Sequence, residues 1–396
     1  MKTPQPTTAA RRQFIKNVAL LAPAVTLFPS WLTASTGSRL RLAFIGTGAW
    51  GRTYLETALL HKDIEVIAIG EHDLAALQAT KELFQRKRLT LPAFYEEGNS
   101  AYEALLSRPD IDAVIIGTPW FTHYEIAKAA LLAGKHVACG PIMGSTVEEH
   151  WDIVNISKQS GKQYITLDEL SYRRDLLAIQ EMVKVGELGE LQSIHAGAAY
   201  ASLNKTNEHK LPYALYPATA TAQLLGISAN NPYVSLRVQQ QLQDYVITKT
   251  NAKSGRLYVA NGLVNTIRLH AGQGQTVYLQ SNAPTGQPFS TGFRLQATGG
   301  SWMDISRTVR LTGASTASID LKDKFPATDQ QLHRYKQLPG HESAALALHD
   351  FVKAVSAPAT GHLPVCTAAT NSVIGVLAKL SAQQDGATIE FPNFYI

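Results

Sequence analysis

The residues whose types and spacing point first to chemistry lie in Leu40–Gly51, LRLAFIGTGAWG, where an apolar run ends on Gly46 and continues as Gly46-x-Gly48-x-x-Gly51. The pattern predicts strand, tight turn and helix start. Gly46 permits the sharp turn, Gly48 lets backbone amides approach a pyrophosphate, and Gly51 lets the helix lie close to the strand. Ala49 and Trp50 open that helix with Gly51, and helix-start amides hold anions. A glycine fingerprint alone is weak evidence, but a second apolar run, Ile64–Ile69, ends before Glu71, 20 residues after Gly51. An acidic side chain there meets ribose hydroxyls and repels a 2′-phosphate, so NAD is expected over NADP. The alternative is a solvated carboxylate among Glu71, His72 and Asp73.

The elements that must position these groups follow as strand-length apolar runs alternating with helical periods up to about Asp168, the mark of a parallel sheet with crossover helices. Ala113–Gly117, His136–Cys139 and Gln163–Leu167 read as strands. Helices fit Ala75–Phe84, Tyr124–Ala133 and Val147–Ser160, the last opened by Ser145-Thr146 with Glu148 and Glu149 in its first turn. Ligands of such sheets sit beyond the carboxyl ends of the strands. That gathers Thr118, Pro119, Trp120 and His123, the Gly140-Pro141 pair, and Asp168 to Tyr172 around one crevice. His123 is a catalytic and cofactor-binding candidate, placed to face the nicotinamide or sugar, or a structural histidine at a helix start. Trp120 is a candidate for ring stacking, and Trp302 for packing.

After Gly189 the runs become β-rich with turn signals between them, and Ala345–Val355 and Cys366–Leu380 read as terminal helices. The expected fold is α/β: an N-terminal Rossmann dinucleotide-binding domain over 38–170, then an α+β domain over 171–396 with a large, mainly antiparallel sheet. A chain of 396 residues exceeds what one core usually serves. Its composition, 45 % hydrophobic and 17 % charged, is that of a folded globular protein rather than a disordered one.

The formal charge of +5 includes Lys2, Arg11, Arg12 and Lys16 in an acid-free leader; without them 32 positive residues face 31 negative ones. Nothing there suggests a nucleic-acid partner. Arg11-Arg12-Gln13-Phe14, the apolar run Val18–Phe28 and small residues near Ala34 read as a twin-arginine-type export signal over 1–35, with Ala10 where Ser or Thr usually precedes the pair. Cleavage near Ala34 places the protein in the periplasm. Membrane attachment would come only through an uncleaved signal, whose apolar run is short for a span. Cys139 and Cys366, the two cysteines, make no disulfide framework and no cysteine-based zinc site, and no metal is expected.

Over nearly all of the mature length the chain resembles the Gfo/Idh/MocA family of nicotinamide-dependent sugar oxidoreductases, through GTGAWG, TPWFTHYEIAKAALLAGKHVAC and the Gly186–Gly189 hinge. Within it the chain is similar to glycoside hydrolase family 109, through Thr118-Pro119-Trp120, Ser171-Tyr172-Arg173-Arg174-Asp175, Leu215-Tyr216-Pro217, Gly292-Phe293-Arg294, Ser301-Trp302-Met303-Asp304, Gly340-His341 and Phe391-Pro392-Asn393-Phe394. The resemblance implies tightly held NAD, a sugar or glycoside as small-molecule partner, a homo-oligomer, and a redox-neutral cleavage in which hydride leaves C3 of the sugar, the aglycone is eliminated, water adds and the hydride returns. Such a cycle suits an exported protein, which meets no NAD pool. The resemblance makes Tyr172 a catalytic candidate, activated if Arg173 or Arg174 lowers its pKa, and Arg173, Tyr216 and His341 substrate candidates; for His341 a helix cap with Glu342 is the alternative. The family's Glu after the strand ending at Cys139 is Gly140 here, and its catalytic His is Thr219. Asp168 or Glu169 could supply the displaced carboxylate. The competing expectation is a binding or structural relative that kept the fold and lost catalysis.

Overall fold

The computed structural model describes residues 39–96, 101–199, 215–251, 254–282, 292–305, 308–312, 338–357 and 364–396. The expected export signal lies outside them. Arg39–Ile396 forms one compact unit. Strands β1 (Leu40–Ile45), β2 (Ile64–Gly70), β3 (Ala93–Tyr95), β4 (Ala113–Ile116), β5 (His136–Cys139) and β6 (Tyr164–Thr166) make a parallel sheet in the order β3-β2-β1-β4-β5-β6. This is the dinucleotide-binding order, with the strand order reversing between β1 and β4. The apolar runs of β1 and β4 are buried on both faces, as the crossover helices require.

Helix α1 (Ala49–Ala58) follows β1, and α2 (Leu74–Arg86) follows β2 behind an Asp73 cap that accepts from Ala76 N at 2.8 Å. Helices α3 (Ala101–Leu106) and α4 (His123–Leu132) precede α5 (Val147–Ser160), whose limits match the sequence pattern. Thr146 caps α5 by accepting from Glu149 N, while Glu149 reaches back to Ser145 N, so both exposed amides are satisfied.

A 3₁₀ turn over Leu170–Tyr172 leads into α6 (Arg174–Lys184), then to β7 (Leu191–Ala199) and α7 (Ala218–Leu225). The second sheet adds β8 (Tyr233–Asn251), β9 (Ser254–Ala271), β10 (Thr276–Asn282), β11 (Arg294–Ala297), β12 (Gly300–Met303), β13 (Thr308–Leu311) and β14 (Ile389–Glu390), in the order β13-β12-β11-β7-β10-β9-β8-β14. It is antiparallel except where β10 runs parallel to β7. The sequence pattern divides β8 and β9 into four shorter strands, Val234–Gln241, Tyr245–Thr250, Leu257–Leu263 and Val264–His270. In the structure their polar midpoints pair across the hairpin, Gln243 opposite Gly262 and Asp244 opposite Asn261, so the ladder runs through.

The terminal helices α8 (Glu342–Ser356) and α9 (Pro364–Gln383) return to the first sheet. Helix α8 packs on α1, and α9 on α5, β6 and β8. Helix α9 is long and apolar enough to cross a membrane by length and composition, yet most of it is buried inside this unit. One hydrogen-bond cluster pins it: Ser372 Oγ accepts from Met143 N at 2.7 Å and lies 2.8 Å from the Nε2 of buried His150. A buried donor left without an acceptor costs about 1–3 kcal/mol. Ser372→Ala is therefore expected to lower stability by about 2 kcal/mol, read from urea unfolding; no change would show that water replaces the hydroxyl.

Candidate active site

The turn after β1 is fixed by three glycines in backbone contact. Gly46 has φ +88°, and a Cβ there would lie 2.7 Å from the Gly117 carbonyl carbon and from Thr118 N. A Cβ on Gly51 would lie 2.2 Å from the Gly46 carbonyl oxygen, and one on Gly117 2.7 Å from that same oxygen. Gly48 differs. Its φ of −56° suits any residue, and a Cβ there meets no protein atom within 4 Å. It caps α1 without a side-chain acceptor, and no acid lies in the helix's first turn. The amides of Ala49, Trp50 and Gly51 thus face a space shaped for an anion, so these residues fit the pyrophosphate of a dinucleotide.

Glu71 is 7 % exposed, which removes the reading as a solvated carboxylate. Its carboxylate accepts from Thr47 N at 2.6 Å and Asp73 N at 2.9 Å, and Thr80 donates to the Thr47 hydroxyl at 2.9 Å. Those bonds lock the glycine turn to the end of β2. Each oxygen keeps further acceptor capacity for ribose hydroxyls.

On the other side of the switch point, Thr118 Oγ1 pairs with Thr122 Oγ1 at 2.8 Å, and Pro119 precedes the 3₁₀ turn that carries Trp120 edge-on to exposed Phe121. Trp50 tilts against Tyr54 with ring centroids 4.6 Å apart and stands over Gly117. His123 is 5 % exposed, with Nδ1 2.7 Å from the Ile142 carbonyl and Nε2 2.9 Å from the Thr118 carbonyl. Two carbonyls require two donors, so the geometry selects the imidazolium. Burial works against that charge, but neighbouring Cys139 and the two carbonyls push the pKa up to about 9. The structure thus places His123 as a brace between the loops after β4 and β5, with neither ring nitrogen open to nicotinamide or sugar.

Tyr172 hydrogen-bonds Asp350 Oδ2 on α8 at 2.8 Å, and its carbonyl accepts from Ser343 Oγ at 3.3 Å. Burial and then the Asp350 charge push its pKa well above the usual 10. The expected lowering by the arginines does not occur. Arg173 turns instead to Asp175, at 2.5 Å, and Asp304, at 3.6 Å, tying α6 to the loop after β12. Trp302 is fully buried beside Phe293, a packing residue.

Asp168 is 6 % exposed, and burial, relieved in part by bonds from Ser171 and Leu170, pushes its pKa up to about 6. The Thr219 hydroxyl approaches it and favours its ionised form. Glu169, half-buried, also has a raised pKa, with burial as the main cause and His341 and Tyr54 opposing it. Tyr216 is 37 % exposed and, through burial, Asp168 and Glu169, is pushed up to about 12. His341 sits at the N-cap of α8 without capping it, and its Nδ1 is buried with no hydrogen-bond partner among the described residues. Tyr54, in none of the sequence motifs except by position on α1, joins this cluster through its hydroxyl, which Glu169 and Asp168 both face. Its aromatic type three residues after Gly51 was the available signal.

Residues 40–167 match the oxidoreductase family with an NAD-binding Rossmann fold, GFO_IDH_MocA, and residues 212–395 match the glycosyl hydrolase 109 C-terminal domain. The chain joins a Gfo/Idh/MocA nucleotide-binding domain to a glycosyl hydrolase 109 C-terminal domain. It is 28 % identical to a glycosyl hydrolase family 109 protein of Stenotrophomonas maltophilia, over 97 % of this chain and 95 % of that one. It is 27 % identical to an alpha-N-acetylgalactosaminidase of Tannerella forsythia, over 90 % and 86 %. Among solved structures, an NAD binding oxidoreductase from Klebsiella pneumoniae superposes with TM-score 0.68 at 14 % identity, over 90 % of this chain and all of that one. A myo-inositol dehydrogenase from Lactobacillus casei, in complex with NAD(H) and myo-inositol, gives 0.63 at 16 %, with the same coverage. The parallel sheet followed by a mixed, mostly antiparallel one is the architecture they share.

Two substitutions separate the roles of the glycines. Gly51→Ala is expected to destabilise the fold by about 3 kcal/mol through the clash with Gly46. Gly48→Ala is expected to leave the unfolding midpoint unchanged and to weaken NAD binding at least tenfold by calorimetry; equal loss of stability in both would refute the distinction. The His123 brace has its own signature. Its pKa is raised, so the stability it contributes is full below about pH 6.5 and is lost as pH rises through about 9. Urea unfolding across that window should fall in the wild type and stay flatter in His123→Asn.

Proposed function

We propose that this protein is an exported, NAD-holding enzyme of the sugar-acting kind that cleaves or rearranges a glycoside by a redox-neutral cycle. One observation carries the reading: Tyr54, on the helix that the glycine turn opens, has Glu169, Asp168, Tyr172 and Tyr216 around it, with His341 acting on Glu169, so a set of proton-bearing groups gathers beside that helix. A nucleotide site alone needs no such set. The names of the relatives, glycosyl hydrolase 109 and alpha-N-acetylgalactosaminidase, support an N-acetylhexosaminide as substrate class.

Gly46, Gly48, Ala49, Trp50, Gly51 and Glu71 would hold the dinucleotide's phosphates and ribose, with Thr118, Pro119 and Trp120 flanking the nicotinamide. When bound, the dinucleotide supplies the hydride acceptor and donor. Tyr172 stays protonated and donates its one hydroxyl proton to Asp350, so its oxygen is left to accept from a sugar hydroxyl. Arg173 shapes the pocket through its two carboxylate partners, and Tyr216 and His341 line it. The leader directs the chain through the twin-arginine route to the periplasm. A second copy would cover the face of the large sheet that carries His195 stacked on Tyr278, with Arg268 over that ring.

The alternative, a relative that retains the fold without catalysis, is favoured by Gly140 and Thr219, where the resemblance leads one to expect Glu and His. One preparation separates the two. Protein recovered from the periplasm is expected to carry NAD(H) by mass spectrometry, to behave as a dimer or larger by light scattering, and to release nitrophenol from 4-nitrophenyl α-N-acetylgalactosaminide. Tyr172→Phe should keep the cofactor and lose about 100-fold in turnover. Bound NAD with no turnover of any glycoside would establish the alternative, and absence of both would sink the enzymatic reading.

A further inference from the structure

The fold treats the two adjacent carboxylates after β6 differently. Asp168 uses both oxygens internally, accepting from Leu170 N at 3.0 Å and from Ser171 Oγ at 2.6 Å. Glu169 accepts neither of those bonds and is only partly buried. Two polar groups approach it with capacity to spare. Tyr54 is fully buried and lies close enough to act on the Glu169 carboxyl, yet its hydroxyl makes no well-formed hydrogen bond. His341 presents a buried Nδ1 that likewise has no partner among the described residues. Buried polar atoms are rarely left so, and a catalytic role is one of the explanations for those that are.

Position adds a second argument. β5 and β6 are hydrogen-bonded neighbours with Cys139 opposite Thr166, and Leu167 N donates to the Cys139 carbonyl at 2.7 Å. Gly140 and the Asp168-Glu169 pair therefore follow neighbouring strands at the same, carboxyl end of the sheet. A carboxylate absent from the end of β5 is present at the end of β6.

We propose that Glu169 is the catalytic base of this crevice, taking the proton of a sugar hydroxyl, with His341 and Tyr54 as the positioning residues that hold its carboxylate. The assignment rests on the sugar-acting reading above. In the step the sugar O–H bond breaks and its electron pair stays on the sugar oxygen. An O–H bond to a Glu169 carboxylate oxygen forms, and that proton returns when the cycle closes. The charged and titratable groups that face Glu169 are Asp168 on its own segment, Tyr54 on α1, Tyr216 before α7 and His341 before α8. Burial makes the carboxylate more basic than an ordinary glutamate, while His341 keeps it ionisable.

The test uses the full chain with its bound dinucleotide and 4-nitrophenyl α-N-acetylgalactosaminide as probe. Glu169→Gln is expected to lose at least about 100-fold in kcat with NAD content and melting temperature unchanged. His341→Gln is expected to move the acidic limb of the kcat/KM profile to higher pH. Independently of turnover, the Glu169 carboxyl, identified in carbon NMR by its loss in Glu169→Gln, should titrate above the ordinary glutamate range and higher still in His341→Gln. Should the Gln variant not fold, Glu169→Asp retracts the charge by one methylene and should lose at least tenfold. A wild type that turns over the probe while either Glu169 variant stays within threefold overturns this assignment alone. So does a Glu169 titration indifferent to His341. A wild type inert to the probe and to every other glycoside, with bound nicotinamide that no sugar reduces, overturns the assignment and the parent reading together.

Discussion

The Gly46 carbonyl oxygen is the point on which this structure depends. Two neighbouring backbones, at Gly51 and Gly117, approach it more closely than any Cβ would permit. That contact sets how near α1 lies to the carboxyl ends of β1 and β4, and so the width of the switch-point crevice. The sheet fixes the strand ends by its ladders, Gly46 N bonding Gly70 O at 2.8 Å and Gly117 N bonding Ile45 O at 2.8 Å. With both sides of the turn so held, the α1 amides can point in only one direction. Glu71 adds a polar lock to the same turn, which makes its carboxylate structural before any ribose is present.

The second constraint comes from the far end of the chain. α8 packs on α1, supplies Asp350 to the Tyr172 hydroxyl and Ser343 to the Tyr172 carbonyl, and carries His341 at its start. A helix nearly 300 residues away in sequence thus closes the wall opposite the glycine turn. α9, held by Ser372 to Met143 and His150, fixes the loop after β5 in turn. The crevice is therefore assembled from both ends of the chain, and the boundary near residue 170 marks a change of sheet rather than a separation of cores.

How much of this was legible varied with the range of the interaction involved. The glycine turn, Val147–Ser160 and the parallel character of the first sheet follow from local pattern, because turn chemistry, capping and period 3.6 are set by near neighbours. The arginine side chains were misjudged for the opposite reason. Arg173 stands next to Tyr172 in sequence, but Asp304, distant in sequence and brought in by the β12 hairpin, shares its charge, and Asp350 decides the state of Tyr172. His123 has the same lesson: its type suggests proton transfer, yet two carbonyls contributed by separate loops occupy both nitrogens. The joins within β8 and β9 were illegible because only the opposite strand shows that polar midpoints are paired.

Gly140 and Thr219, where the resemblance leads one to expect other side chains, differ in kind from the glycines of the turn. A Cβ on Gly140 would lie 3.4 Å from His123 Cε1, an ordinary contact, and its backbone is not left-handed. Neither the backbone nor the space for a Cβ demands glycine there. At 219 the threonine hydroxyl supports ionised Asp168, whose burial resists that charge. Two adjacent carboxyls, one enclosed and one partly open, cannot both ionise as freely as either alone. Holding Asp168 within internal hydrogen bonds leaves Glu169 as the group whose charge responds to what enters the crevice, and it does so one strand from the place where the resemblance leads one to look for it.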